Sequence, residues 1–306
     1  MTETAVSLCY ALPELAIIQF QGADAVAFVH AQVTNDLEHL PPERACPAAY
    51  CSAKGRTLAT MVLWRAQTDT VLALVRRDLA EALVKRLRMF VLRSKVQISL
   101  PDLQVQGMTA PDGASTCWDV SQHPDATLIQ APGLLGGAAR HWRIGTTALP
   151  AQTNARIWAA ADIQAGLPWI GAPVQDMFIP QTLNLDLIGA INFRKGCYPG
   201  QEVVARSHYR GTLKRRMARV CSDVLDAPPV VTEGTDIWLA GDDADAPAAR
   251  VINAVWDPTG RQLHALLEVQ LSDLTLDAYC LQDGTALHLQ ALPYALPELN
   301  PAPGTV

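Results

Sequence analysis

The stretch richest in candidate chemistry is Asn192-Phe193-Arg194-Lys195-Gly196-Cys197-Tyr198-Pro199-Gly200-Gln201-Glu202. Pro199 suits the first position of a helix, where its missing N–H would be unpaired anyway, and Gln201 to His208 continues as a short helix that Gly211 can end. Cys197 is thereby placed just before a helix N-terminus, beside Lys195 and Arg194. The partial positive charge of a helix end and two neighbouring cations all favour a thiolate, the form of cysteine that attacks or ligates. The same spacing also fits a small thiol packed at a turn, and both readings stand at this point.

A second lysine–glycine pair lies in Tyr50-Cys51-Ser52-Ala53-Lys54-Gly55-Arg56, in a chain with five lysines in all. Glycine allows close backbone approach, so Lys54 and Lys195 can form a pair of cations aimed at an anionic ligand, or Lys54 can sit solvated on a hairpin. The chain has seven tryptophans and five phenylalanines, and Trp158 and Trp169 flank the approach to Cys197; flat heteroaromatic ligands are held by such faces plus a few polar groups. Arg206–Arg219 holds six Lys/Arg and no acid, followed by seven acids and no Lys/Arg over 220–249. Such a run reads as a solvated or acid-paired face before it reads as a phosphate track.

Other chemistries lack spacing support. The seven cysteines contain no C-x-x-C, and the seven histidines no H-x-x-x-H, so neither a disulfide framework nor a zinc, haem or iron–sulfur site is expected. Dinucleotide, P-loop and nucleophile-elbow motifs are missing as well. A net charge of −6 argues against nucleic acid as a direct ligand. No apolar run reaches the length of a bilayer span and no secretory signal is visible, so a soluble cytoplasmic protein without membrane partners is expected.

The elements that must position these residues are mixed. Strands are expected at Leu15–Phe20, Pro47–Ser52, Thr57–Ala66 and Thr70–Val75, and a helix over Ala23–Gln32. A further helix should start at Asp78 with a capping box to Glu81; its stripe is Leu79, Leu83, Leu87 and its outer face is basic through Lys85, Arg86 and Arg88. Two strands, Val96–Leu100 and Leu103–Met108, should follow. The segment 109–140 shows no clear period, His141–Gly145 reads as a strand, and Asn154–Ala165 as a helix stopped by Gly166. Residues 171–200 read as irregular, unusually long for an idle loop. Short strands at Leu213–Val220, Asp236–Ala240, Ala249–Trp256, Gln262–Val269 and Ala286–Leu292 suggest a small barrel, which removes exposed edges. The boundary falls near 211, giving an α/β region 1–210 and a barrel domain 211–306. The acidic loop 241–245 suggests no function.

Lys195-Gly196-Cys197-Tyr198-x-Gly200-Gln201-Glu202 resembles the K-G-C-Y-x-G-Q-E signature of the YgfZ-type folate-binding proteins, relatives of the glycine-cleavage T-protein (aminomethyltransferase). The likeness extends to Asn184–Ile191, to Glu202–Arg206 with Arg210-Gly211, to Gln21–Asp24 and Gln32–Asp36, to Cys51–Arg56, and to Leu292-Pro293-Tyr294; 109–140 and 222–248 match poorly.

The resemblance implies an α+β, multidomain, T-protein-like fold: ferredoxin-like α/β elements and a C-terminal β-barrel around a folate channel. It implies tetrahydrofolate or a derivative as cofactor, a role supporting iron–sulfur cluster assembly or repair, iron–sulfur proteins as partners, and through cluster enzymes a link to tRNA modification. In that reading Cys197 is the reactive group, and Trp158 stacks on the ligand. Lys54, Lys195, Gly196, Tyr198, Gln201 and Glu202 belong to the binding site, the two lysines forming an electropositive rim. Leu15 stands where the family has a second aromatic. Lys54 lies where the T-protein has a catalytic aspartate turn, and a lysine cannot accept that proton, which argues against glycine cleavage. A folate-dependent one-carbon transferase or demethylase, or a non-catalytic interaction module, are the alternatives.

Overall fold

A computed structural model describes residues 8–110, 116–151, 154–209, 213–240, 247–276 and 278–297. The chain opens with β1 (Cys9–Ala11) and β2 (Leu15–Gln21), which enter two different sheets. Then come α1 (Ala25–His30), β3 (Ala45–Cys51), β4 (Thr57–Gln67), β5 (Thr70–Arg76), α2 (Arg77–Arg88) and β6 (Gln97–Ser99). Strands β3-β4-β5-β2-β6 form an antiparallel sheet. Its central strands are buried on both faces, and the period of two sorts their side chains. Ile18, Phe20, Leu63 and Ala73 join Phe28, Val29, Leu79 and Leu83 of the two helices, whereas Ile17, Trp64, Leu72 and Leu74 face the second sheet.

That sheet contains β1, β7 (Gln104–Ala110), β8 (Val120–His123), β9 (Ala126–Leu135) and β10 (Ala138–Gly145), in the order β1-β7-β10-β9-β8. Strands β8 and β9 fill part of the segment that shows no period. They are half exposed, and β9 carries Pro132 and Gly133 next to a register shift at Ala139/Arg140, so the alternation that marks a strand is broken. Helix α3 (Ala155–Gln164) covers this sheet. Trp158 drops onto Gly107 of β7, where an added Cβ would lie 2.6 Å from the ring atom Cδ2.

Helix α2 begins at Arg77, one residue before the expected cap. β5 feeds straight into it, leaving no turn for a capping side chain. Asp78 instead pairs with Arg76 at 3.4 Å and accepts the Ala172 N–H at 3.1 Å. Residues 171–200 are irregular apart from a short 3-10 turn at Ala172–Val174, and α4 (Gln201–Tyr209) follows them. The residues expected to end α4, at 210–212, and the acidic loop 241–246 lie outside the described residues.

Strands β11 (Arg215–Ser222), β12 (Asp236–Leu239), β13 (Ala249–Asp257), β14 (Gln262–Gln270), β15 (Tyr279–Cys280) and β16 (Ala286–Gln290) close into a barrel in the order β11-β14-β13-β12-β15-β16. Inward-facing Val220, Val251, Leu267 and Leu287 fill it. No helix among the described residues is long and apolar enough to cross a membrane.

Gly107→Ala tests the Trp158 contact. The ring is fully buried and has nowhere to retreat, so the substitution should destabilise the chain by about 1–3 kcal/mol, read as a lower urea midpoint at unchanged slope.

Candidate functional site

The two lysine–glycine segments meet, but through their glycines. Gly200, at φ +79°, lies so close to the 52–55 turn that an added Cβ would sit 2.7 Å from Gly55 Cα, and Gly55, at φ +70°, packs beneath Val203 of α4. Both backbones use the left-handed region open to glycine. The lysines diverge. Lys54 is exposed at the turn, while Lys195 is buried, its Nζ donating to the carbonyls of His30 and Val33 (2.7 Å to the latter) and lying 5.1 Å from the Tyr198 ring centre. The expected electropositive rim is therefore not formed by this pair. Lys195 caps the C-terminal carbonyls of α1, where a cation is favoured.

Burial pulls the Lys195 ammonium down to about 8, against attraction from Asp36 and Glu38. Burial, with Lys195 beside it, also lowers the His30 pKa. The Leu37 N–H donates to His30 Nδ1 at 3.3 Å, which puts the proton of the neutral ring on Nε2. An added Cβ on Gly196 would lie 3.9 Å from that Nε2. Cys197 is exposed, alone among the seven cysteines. Cys46 and Cys51 are buried, which pushes each up to about 12. Tyr198 is buried and its hydroxyl pKa is raised by that burial. The Gln201 amide reaches the Lys195 carbonyl at 3.5 Å, and Glu202 pairs with Arg206 at 2.6 Å on the exposed side of α4.

Trp158 is elsewhere. It is 0% exposed, its ring lies against Gly107, and the Arg140 guanidinium carbon stands 4.7 Å from the ring centre. No face of the ring is open for stacking, which corrects the expectation. Helical spacing explains why: a different face of α3 carries Ala159, Asp162 and Ile163, at i, i+3 and i+4, and these three line a cleft.

That cleft was not visible as a motif, because its residues come from three parts of the fold. Leu15 and Arg76 belong to the first sheet, Asp162 to α3, Trp169 to the loop after it, and Glu233, Asn253 and Ala254 to the barrel region; Glu14 completes the acidic lining. Asp162 pairs with Arg140 at 2.8 Å and accepts the Trp169 indole N–H at 3.0 Å. Glu233 Oε1 accepts from Arg76 at 2.8 Å and from Asn253 at 3.1 Å, whereas its buried Oε2 has no partner, and neither does the buried Arg76 Nε. Asn253 holds Trp169 by both backbone groups, accepting its N–H at 2.8 Å and donating to its carbonyl at 2.6 Å. Burial raises the pKa of Glu14, Asp162 and Glu233, with Arg140 opposing it at Asp162 and Arg76 at Glu233. Three carboxylates with raised proton affinity in one cleft mark a functional-site candidate.

The cleft and the Cys197 turn share one end of the first sheet. Strand pairing puts Leu15 opposite Arg76 and Cys51 opposite Thr57 at that end. In the order β3-β4-β5-β2 the two places are about two strand spacings apart, roughly 10–15 Å once the stagger of β4 is counted. The irregular chain after Trp169 runs between them: the Ile170 N–H donates to Thr60 Oγ1 at 3.0 Å, and Asp176 and Phe178 exchange backbone hydrogen bonds with Thr57 at 2.9 and 2.7 Å. Among the described residues no group of His, Cys, Asp and Glu is arranged to hold a metal ion.

No family model matches the chain. It is 34% identical over 209 residues to an uncharacterized protein of Haemophilus influenzae, covering 67% of this chain and 70% of that protein. Its structure superposes on the glycine cleavage system aminomethyltransferase T from Bartonella henselae with a TM-score of 0.72 at 13% identity, over 94% of this chain and 86% of that one, which establishes the fold.

Two measurements test the site. Cys197 should be the fastest of the seven thiols to react with an aromatic disulfide in the folded protein, and Cys197→Ser should remove that fast phase alone. Lys195 is less readily protonated folded than unfolded, so between about 8 and its ordinary 10.5 the unfolded chain binds the extra proton and stability must rise with pH. Urea titrations of wild type should therefore gain on Lys195→Met across that window; a flat difference would contradict the burial of the amine.

Proposed function

The chain belongs to the same family as the Haemophilus influenzae protein, and from that premise and its aminomethyltransferase-T fold we propose that it binds tetrahydrofolate or a derivative. In this reading it is an accessory protein in iron–sulfur cluster assembly or repair, and through cluster enzymes it supports tRNA modification. The observation that carries the folate reading is a cleft lined by Trp169, Glu14 and Glu233, the last with a buried Oε2 that has no partner. The pyrimidine edge of a pterin presents adjacent N–H donors, which match a carboxylate acceptor, and a buried carboxylate left half-paired gains most from such a donor. Trp169 takes the aromatic role first expected of Trp158.

The pterin ring at the cleft leaves the rest of the ligand to extend along the sheet end toward the 52–55 turn. Lys54, exposed there, meets the glutamyl carboxylates, and Cys197 stands beside that end. Bound tetrahydrofolate supplies a carrier for one-carbon units. The protein's own residues hold it: Glu233 and Glu14 accept hydrogen bonds, Asn253 fixes Trp169, and Arg76 orients Glu233 through its Oε1. The 52–55 turn contains no carboxylate of its own; Ser52 Oγ instead donates to Asp176 at 2.8 Å. An accessory role fits this arrangement better than aminomethyl transfer.

Anaerobic calorimetric titration of tetrahydrofolate tests the reading. Wild type should bind in the micromolar range, about −8 kcal/mol. Glu233→Gln should weaken binding by roughly tenfold or more, the scale of a charge-assisted hydrogen bond. Cys197→Ser should bind normally while failing to restore cluster-enzyme activity in cells lacking the protein. Wild type that does not bind tetrahydrofolate would remove the proposal.

A further inference from the structure

The end of α2 is a basic, exposed part of an otherwise acidic molecule. Between Ala82 and Pro101 there are five Lys/Arg and no acid, in a chain of net charge −6. Lys85, Arg93 and Lys95 are exposed. Arg86 and Arg88 are anchored at the margin, donating to the Tyr50 hydroxyl at 3.1 Å and to the Ile98 carbonyl at 2.6 Å. Glu81 borders this surface on the helix, and Asp24 accepts the Lys95 backbone N–H at 2.6 Å.

Apolar side chains stand among these cations. Met89 is 63% exposed, Phe90 42% and Leu92 89%, and Leu100 faces the groove beside Val84 and Lys85. Leu92 adopts φ +44°, a left-handed conformation unfavourable for a branched side chain. The turn thus holds its most exposed leucine outward at a conformational cost. Nothing in the folate reading uses this surface.

We propose that the α2–β6 turn is a docking surface for an anionic lipid bilayer. The cations meet headgroups, and Met89, Phe90 and Leu92 enter the interface below them. Both features are needed to choose this occupant. A nucleic acid backbone would satisfy the cations but leave Met89 and Leu92 facing phosphates and sugars. An acidic protein segment would need a shaped pocket for each apolar side chain. A bilayer interface accepts protruding apolar groups without a preformed pocket and attracts a neighbouring basic cluster. The contact is peripheral and requires no spanning helix.

Co-sedimentation of the full chain with vesicles tests this. Wild type should partition onto mixed phosphatidylcholine–phosphatidylglycerol vesicles at low salt, be released by high salt, and ignore pure phosphatidylcholine. Each cation near an anionic surface contributes roughly fivefold, so Lys85→Glu with Arg93→Glu and Lys95→Glu should lower partitioning by roughly 100-fold or more. Met89→Ser with Leu92→Gly leaves the charge unchanged and relieves the Leu92 backbone. It should still lower partitioning at least tenfold, with thermal unfolding no lower than wild type. Three results would overturn the proposal: no partitioning by wild type, an apolar variant that binds as wild type does, or retention by RNA or polyglutamate but not by vesicles.

Discussion

The irregular chain between Gly171 and Gly200 places the whole structure under one constraint: much of it is buried, and beyond local turns it has no strand ladder or α-helix of its own. Buried backbone polar groups must be paired, so the rest of the fold is arranged to supply partners. Thr34 Oγ1 donates to the Ala190 carbonyl at 2.7 Å, and Asn35 to the Gly189 carbonyl at 2.8 Å. Asn184 reaches across to the Met217 carbonyl at 2.8 Å, and Arg216 clamps Asp186 at 2.6 and 3.0 Å while also donating to the Gln181 carbonyl. The N-terminal sheet and the barrel are joined through this segment. A buried Arg–Asp pair contributes little net stability over a hydrophobic replacement, yet breaking it is costly, so such a seam fixes geometry more than it adds stability.

The same logic separates the two halves of the candidate site. At the Cys197 turn, the buried polar groups are satisfied: Lys195 faces inward to two carbonyls and His30 accepts from Leu37, while the thiol and Arg194 are left to solvent. At the cleft, satisfaction is incomplete. Glu233 uses one oxygen and Arg76 leaves Nε without a partner. An unmet buried acceptor costs about 1–3 kcal/mol, a large part of a typical domain's stability. Glu233 lies where Gly171 gives it room, since any Cβ there would collide with Oε2. The fold tolerates an unpaired acceptor here although it pairs Asp162, far away in sequence but in the same cleft, on both oxygens.

What could be read from the chain follows from how each feature is encoded. Strands β2, β4 and β5 were legible because both faces are buried and the runs are continuous. The lysine–glycine turns were legible as local motifs, since a glycine in close backbone contact leaves a trace within a few residues. Strands β8 and β9 were not, because partial exposure and Pro132 erase the alternation. The Asp78 cap failed because Asp78 found a tertiary partner in Ala172, nearly a hundred residues away. The cleft was illegible for a stronger reason: Glu14, Asp162 and Glu233 are brought together only by the packing of two sheets and a barrel. Leu15, where the resemblance puts a second aromatic, lines the cleft. Trp158 shows the converse. A residue one position from the cleft-lining Ala159 points about 100° around the helix from it, and there the core claims it.

The reactivity available to Cys197 therefore has a narrower origin than its neighbours in sequence suggest. Lys195 cannot stand over the thiol while its ammonium caps α1, and the lysine is held by two carbonyls that a thiolate would have to outcompete. Its contribution is to fix the loop, since a capped α1 and the Gly55–Gly200 contact hold the turn from opposite sides. With the loop so fixed, Cys197 is presented to solvent at the sheet end that also carries the cleft, and the chain from Trp169 to Phe178 links the two without a flexible joint, being hydrogen-bonded to Thr60 and Thr57 along the way. In the folate reading proposed above, the buried acidic cleft holds a long ligand at one end and the exposed thiol, at a fixed separation, stands where its other end is offered to a partner. This is why the exposed position of the thiol, which would be a defect in an enclosed active site, is consistent with service to another protein.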